Sequence, residues 1–131
     1  MYKKDILSLE SVKRVAAAAE AEALRNNWNV VIAIVDDGGH LMYLQREKVQ
    51  LGSIDVAINK AKTALMFRRP TAFWEKTIAD GRQSYLAMEG MLPIEGGLPI
   101  EHNGDIVGAI GISGVQSSQD GQIAKAGIEA L

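Results

Sequence analysis

The sequence predicts an α+β fold made of two β-hairpins and the helices that cover them. Three observations carry that prediction. Asn103-Gly104 lies between two apolar runs, and a two-residue turn there needs positive φ at both positions, which Asn and Gly tolerate. Asp36-Asp37-Gly38-Gly39 separates a β-branched run from an alternating one and reads as a second turn. Elsewhere apolar residues recur at helical spacing, and no repeat, linker or low-complexity run divides the chain. Residues 1–131 therefore read as one domain.

Ser8 to about Asn26 is the first expected helix, with Ser8 as N-cap and Ser11 as the alternative. Leu9, Val12, Ala16, Ala19 and Ala23 form its apolar face. Val30 to Val35 is nearly all β-branched, the composition of a central strand buried on both faces. His40 to Arg46 returns antiparallel and completes the first hairpin. Ser53 to Arg68 is the second helix, with Ile54, Ala57, Ile58, Ala61 and Leu65 inward, and Arg68-Arg69-Pro70 stops it. Its alanines imply close packing against a sheet. Thr71 then caps a stretch from Ala72 to Glu89, broken near Asp80-Gly81. Leu98–His102 and Asp105–Ser113 form the second hairpin, and Ser118–Leu131 a closing helix with Asp120 near its positive end.

Composition excludes several classes of function. The net charge is -2 and no basic cluster exceeds two residues, so nothing attracts nucleic acid or an anionic membrane. There is no cysteine, which removes disulfides, thiolate nucleophiles and cysteine zinc sites. The N-terminus has no apolar signal core and the apolar runs are too short to span a bilayer, so the chain reads as cytoplasmic.

Four segments in order resemble one family: Ile34-Val35-Asp36-Asp37-Gly38-Gly39-His40-Leu41, Ser53 to Ala64, Glu95-Gly96-Gly97-Leu98-Pro99-Ile100, and Gly104 to Gly114, with Asp120 following. Together they are similar to the GlcG/HbpS family, whose domain also forms the C-terminal part of PduO-type proteins. The resemblance implies a profilin-like fold, one antiparallel sheet of about five strands packed by helices. It implies a homo-oligomer, from dimer to octamer. It also implies a link to haem binding or degradation, or to corrinoid metabolism. The chain departs from the pattern at Arg46-Glu47-Lys48, where many relatives have Arg-Met-Asp.

Several residues carry the candidate chemistry, each with a structural alternative. Glu95-Gly96-Gly97 reads as a backbone cradle with a carboxylate at its rim, or as a bend between Pro93 and Pro99. Lys60 and Thr63, one helical turn apart, could wall a pocket, or Lys60 is solvated and Thr63 bonds back to its helix. Arg46 offers a fork to a carboxylate, or a surface ion pair. His40 and His102 are the only imidazoles, both beside turns where exposure is the rule. His40 is the better candidate, since the glycine pair beside it opens space. Met66, Met88, Met91, Trp74 and Tyr85 could form a flat apolar surface for a tetrapyrrole, or belong to the core or a subunit interface.

The expectation is an oligomeric small-ligand-binding protein, with haem or a corrinoid as ligand on the strength of the resemblance. The rival is a small enzyme in which Glu95 is general base toward a carboxylate-bearing metabolite held by Arg46 or Lys60. Both require Lys60 and the twin-glycine bend to meet around one cavity.

Overall fold

Four strands and four α-helices follow one another as α1 (Leu9–Arg25), β1 (Val31–Asp36), β2 (Leu41–Arg46), α2 (Ser53–Met66), α3 (Thr71–Ala79), β3 (Gly97–His102), β4 (Asp105–Ser113) and α4 (Ser117–Ile128). The computed structural model describes all 131 residues. The strands form one antiparallel sheet in the order β2-β1-β4-β3, so the two hairpins join through β1 and β4. The sheet has four strands rather than about five, because two hairpins supply only four.

Alternation along β1 and β4 divides the core. Ile32, Ile34, Ile110 and Ile112 point to the face covered by α1 and α4, where they meet Val12, Val15, Ala19 and Ile123. Val31, Ala33, Val35 and Ala109 point to the other face and meet Ala57, Ala61 and Ala64 of α2. The first interface is filled by branched side chains. The second is filled by small ones, so α2 lies nearly on the backbone of the sheet. Gly97 and Gly111 face each other across β3 and β4. A Cβ on either would collide with the α2 backbone, at the Lys60 and Ala57 carbonyls respectively.

Most expected elements form, with adjustments. Ser8 is the N-cap of α1, its hydroxyl accepting from the Ser11 N–H. Val15 rather than Leu9 joins the buried face of α1, and Leu9 is about half exposed. The stretch after Thr71 is helical only to Ala79, and a short 3₁₀ turn spans Gln83–Ala87. Gly81, at φ +112, ends the regular helix. No helix is long and apolar enough to cross a membrane.

Candidate functional site

The buried face of α2 includes a charge. Lys60 is the largest fully buried side chain, 2% exposed. It sits in the helical row of Ala57, Ala61 and Ala64, so the spacing that seats the alanines on the sheet also drives Lys60 inward. Its Nζ donates to the Ile112 carbonyl at 3.0 Å and to Asp120 Oδ2 at 2.9 Å. Asp120, also 2% exposed, accepts from the Val115 N–H through Oδ1 at 3.2 Å. An ammonium and a carboxylate out of water each cost several kcal/mol, and this pairing plus two backbone partners offsets that cost.

The twin-glycine bend closes over this pair. Gly96, at φ +135, would carry a Cβ 2.7 Å from the Ile112 carbonyl oxygen and 2.9 Å from Lys60 Nζ. Its own carbonyl accepts from the Ile112 N–H at 2.9 Å. The Gly97 N–H donates to Thr71 Oγ1 at 2.9 Å. Thr63 donates to the Asn59 carbonyl and accepts from the Leu92 N–H at 2.9 Å, tying the segment before the bend to α2. Thr71 therefore clamps the glycine bend instead of capping its helix.

Glu95 stands at the rim. Its backbone N–H donates to Glu75 Oε1 at 3.4 Å, and its carboxylate lies against α4 at Gly121, where a Cβ would collide with it. Burial raises the Glu95 carboxyl above the ordinary range; the nearby Glu75 charge adds to this, and Lys60 partly opposes it. Burial also holds Asp120 high, against the hydrogen bond and charge of Lys60 and the Val115 N–H.

Lys60 and the segment from Leu92 to Gly97, which includes Glu95 and Gly96, lie together, with Thr63 bonded to the Leu92 N–H. Backbone and side chains pack closely at the bend, and three surface hollows of about 290, 350 and 170 Å³ lie away from these residues. Lys60 is buried rather than solvated because Asp120 supplies its counterion.

Arg46 and His40 do not join the cluster. Arg46 is exposed at the end of edge strand β2, with β1 and β4 between it and β3. His40 is exposed at the opposite end of β1, its backbone N–H donating to Asp36 Oδ1 at 2.9 Å. Trp74 is buried among Phe67, Phe73 and Tyr85, while Met66 stays exposed, so these residues make no single flat surface. The sequence reading missed Glu75, a half-buried acid on α3, and the pairing of Asp120 with Lys60. Gly121, directly after Asp120, was the available sign that something packs tightly on the start of α4.

A family model described as "Haem degrading protein HbpS-like" matches residues 7–129. Protein GlcG of Escherichia coli (strain K12) is 39% identical over 114 residues, covering 86% of this chain and 85% of GlcG. A double mutant of Streptomyces reticuli HbpS superposes with a TM-score of 0.90 at 30% identity, covering 100% of this chain and 90% of that one. A haem complex of PduOC superposes with a TM-score of 0.88 at 26% identity, covering 97% of this chain and 96% of PduOC. With a family match over nearly its whole length, this chain belongs to the HbpS-like family.

Proposed function

We propose that this protein is an oligomeric small-ligand-binding protein whose ligand is haem. The observation that carries this reading is the likeness, over 97% of the chain, to a PduOC structure solved with haem. Haem, rather than a corrinoid, is the tetrapyrrole in that relative's description. The chain's donors are compatible with the group: it has no cysteine, but two exposed imidazoles and several exposed arginines. Haem supplies an iron centre whose reactivity the surrounding protein tunes. The protein's part is to bind it, orient it and limit its exposure to water. The Lys60–Gly96 cluster does not fit the macrocycle, because it is filled and its ammonium is already paired.

The test is a titration of the purified protein with hemin, followed in the Soret region. The expected outcome is a shifted Soret band that saturates at a fixed ratio of haem to chain. A spectrum that remains that of free hemin at every ratio would overturn the reading.

The acid–base alternative is supported by one feature, the raised carboxyl of Glu95 beside Glu75. Neither carboxylate holder expected for it is available within one copy of the chain. Lys60 is occupied by Asp120, and Arg46 lies on the far edge strand.

A further inference from the structure

One buried side-chain polar atom in the chain has no hydrogen-bond partner, Nε1 of Trp74. The indole is 7% exposed and stands on α3 beside the end of α2. Phe67, Phe73 and Tyr85 pack on it edge-to-face, with ring centroids 5.9, 5.0 and 5.0 Å away. A buried donor without an acceptor carries a free-energy penalty, so this N–H is a donor held ready in an apolar corner. Arg69 lies over the same rings, 4.4 Å from the Phe73 centroid and 5.4 Å from that of Trp74. None of the chain's six ion pairs engages it. Stacking fixes the guanidinium plane and leaves its in-plane N–H donors for an acceptor.

The rings differ in how firmly they are held. Phe67, Phe73 and Trp74 belong to α3 or the end of α2. Tyr85 comes from the stretch Gly81–Met91, in which no residue is buried and only Tyr85, Met88 and Met91 are half-buried. Beyond Arg82 the backbone of this stretch bonds only within itself, until Leu92 donates its N–H to Thr63 Oγ1 at 2.9 Å. One side-chain bond, from Gln83 Nε2 to the Ile78 carbonyl at 3.0 Å, ties it to α3. Gly81 and Gly90 bound it at φ +112 and +72, and a Cβ on either would meet nothing within 4 Å. These glycines serve the backbone rather than any close packing, as hinges do. The stretch is a strap whose main hold on the molecule is Tyr85 against Trp74, with Arg82 5.0 Å from the centre of the Tyr85 ring.

We propose that Tyr85 is an internal stand-in for a ligand: the strap swings away, and a single aromatic ring bearing a carboxylate takes the place of the phenol on Trp74. The phenol it replaces sets the size of the ring. The donors set the carboxylate, because the indole N–H and the Arg69 guanidinium both lack an acceptor while the strap is closed. Opening stops at Leu92, which Thr63 holds, so the bend over Lys60 stays closed. The site goes beyond the haem reading and needs neither haem nor iron.

Trp28 is the only other tryptophan, so a Trp28→Phe parent reports Trp74 alone by fluorescence. The probes are benzoate and, as its uncharged counterpart, benzyl alcohol. The variants in that parent are Tyr85→Ala, Tyr85→Phe and Arg69→Gln. Tyr85 is half-buried and Arg69 exposed, and circular dichroism checks that each variant folds. Tyr85→Ala is expected to make Trp74 more accessible to acrylamide and to tighten benzoate binding by about tenfold or more, because the competing occupant is gone. Tyr85→Phe keeps the ring and should stay close to the parent on both counts. Arg69→Gln should weaken benzoate by about tenfold, as a charged hydrogen bond is lost, and leave benzyl alcohol unchanged. Trp74 as shielded in folded Tyr85→Ala as in the parent, benzoate affinity unchanged in Arg69→Gln, or no benzoate binding in any variant would each overturn the proposal.

Discussion

Strand β3 begins at a closed site and ends at an open one. At Gly97 the backbone is pressed against α2, and the polar groups around it (Lys60, Thr63, Thr71 and Asp120) are buried and hydrogen-bonded. Toward its other end, His102 lines one hollow with Arg14, and Leu98 to Glu101 line a separate one with Arg68 and Arg69. The glycine bend belongs to the more specific sequence motif, yet its backbone is packed directly on Lys60 and Ile112. The two hollows have room, yet their residues form no motif. Glycine pairs mark where backbone approaches something closely, and here that something is the protein's own helix. Binding capacity lies where polar groups still lack partners.

The largest effect that would break this contrast is at the buried ion pair. Lys60→Met leaves the Asp120 carboxylate in the interior without its counterion, and should destabilise the fold by about 3–5 kcal/mol. Adding Asp120→Asn should recover much of that loss, because the two side chains act as a unit. Chemical denaturation of the wild type, both single variants and the double variant measures the coupling. If Lys60→Met proved as stable as wild type, the bend would not be the closed, charge-balanced unit described above.

A smaller effect is expected from Gly97→Ala. The added methyl would meet the Lys60 carbonyl, and α2 would have to move off the sheet. Overpacking of this kind typically costs about 1–3 kcal/mol. A drop in the denaturation midpoint with an unchanged slope would fit a displaced helix in a still cooperative fold. A neutral Gly97→Ala would mean that α2 can retreat freely, and the bend could then open to a ligand after all.

How far each region could be read from sequence follows from what sets it. The hairpins and α1 were legible because Asn103-Gly104, the β-branched run from Val30 and the Ser8 cap are local signals. The burial of Lys60 was also present in the spacing, three residues after Ala57 and four before Ala64, but a lysine in such a row is ordinarily solvated. Only Asp120, 60 residues away, makes the interior acceptable, and no local pattern announces that pairing. The 3₁₀ turn at Gln83–Ala87 was missed because it sustains helical spacing for barely a turn. The hollows beside β3 were illegible for a different reason. One is lined by the N-terminal segment and His102 and the other by Arg68–Pro70 and β3, residues whose proximity is a product of topology alone.

The smallest expected effect lies on the border between the two regions, at Glu95. Its carboxyl is held above the ordinary range near 4.5, chiefly by burial and then by Glu75. The native state therefore binds more protons than the unfolded state between that ordinary value and the raised one. Stability must then fall as pH rises through this window, and stay lower above it. Glu95→Gln removes the titration, so its stability should depend less steeply on pH from about 4.5 upward. Glu95 is half-buried and water screens it, so the change should appear as a gentler slope rather than a large gain. Denaturation midpoints measured at several pH values, with Glu75→Gln alongside, resolve the contribution. Glu75→Gln should flatten the slope less, because it removes only the second cause. A Glu95→Gln slope identical to wild type would place the pH dependence at Asp120, inside the closed bend, and leave Glu95 an ordinary surface acid with no claim to poised proton transfer.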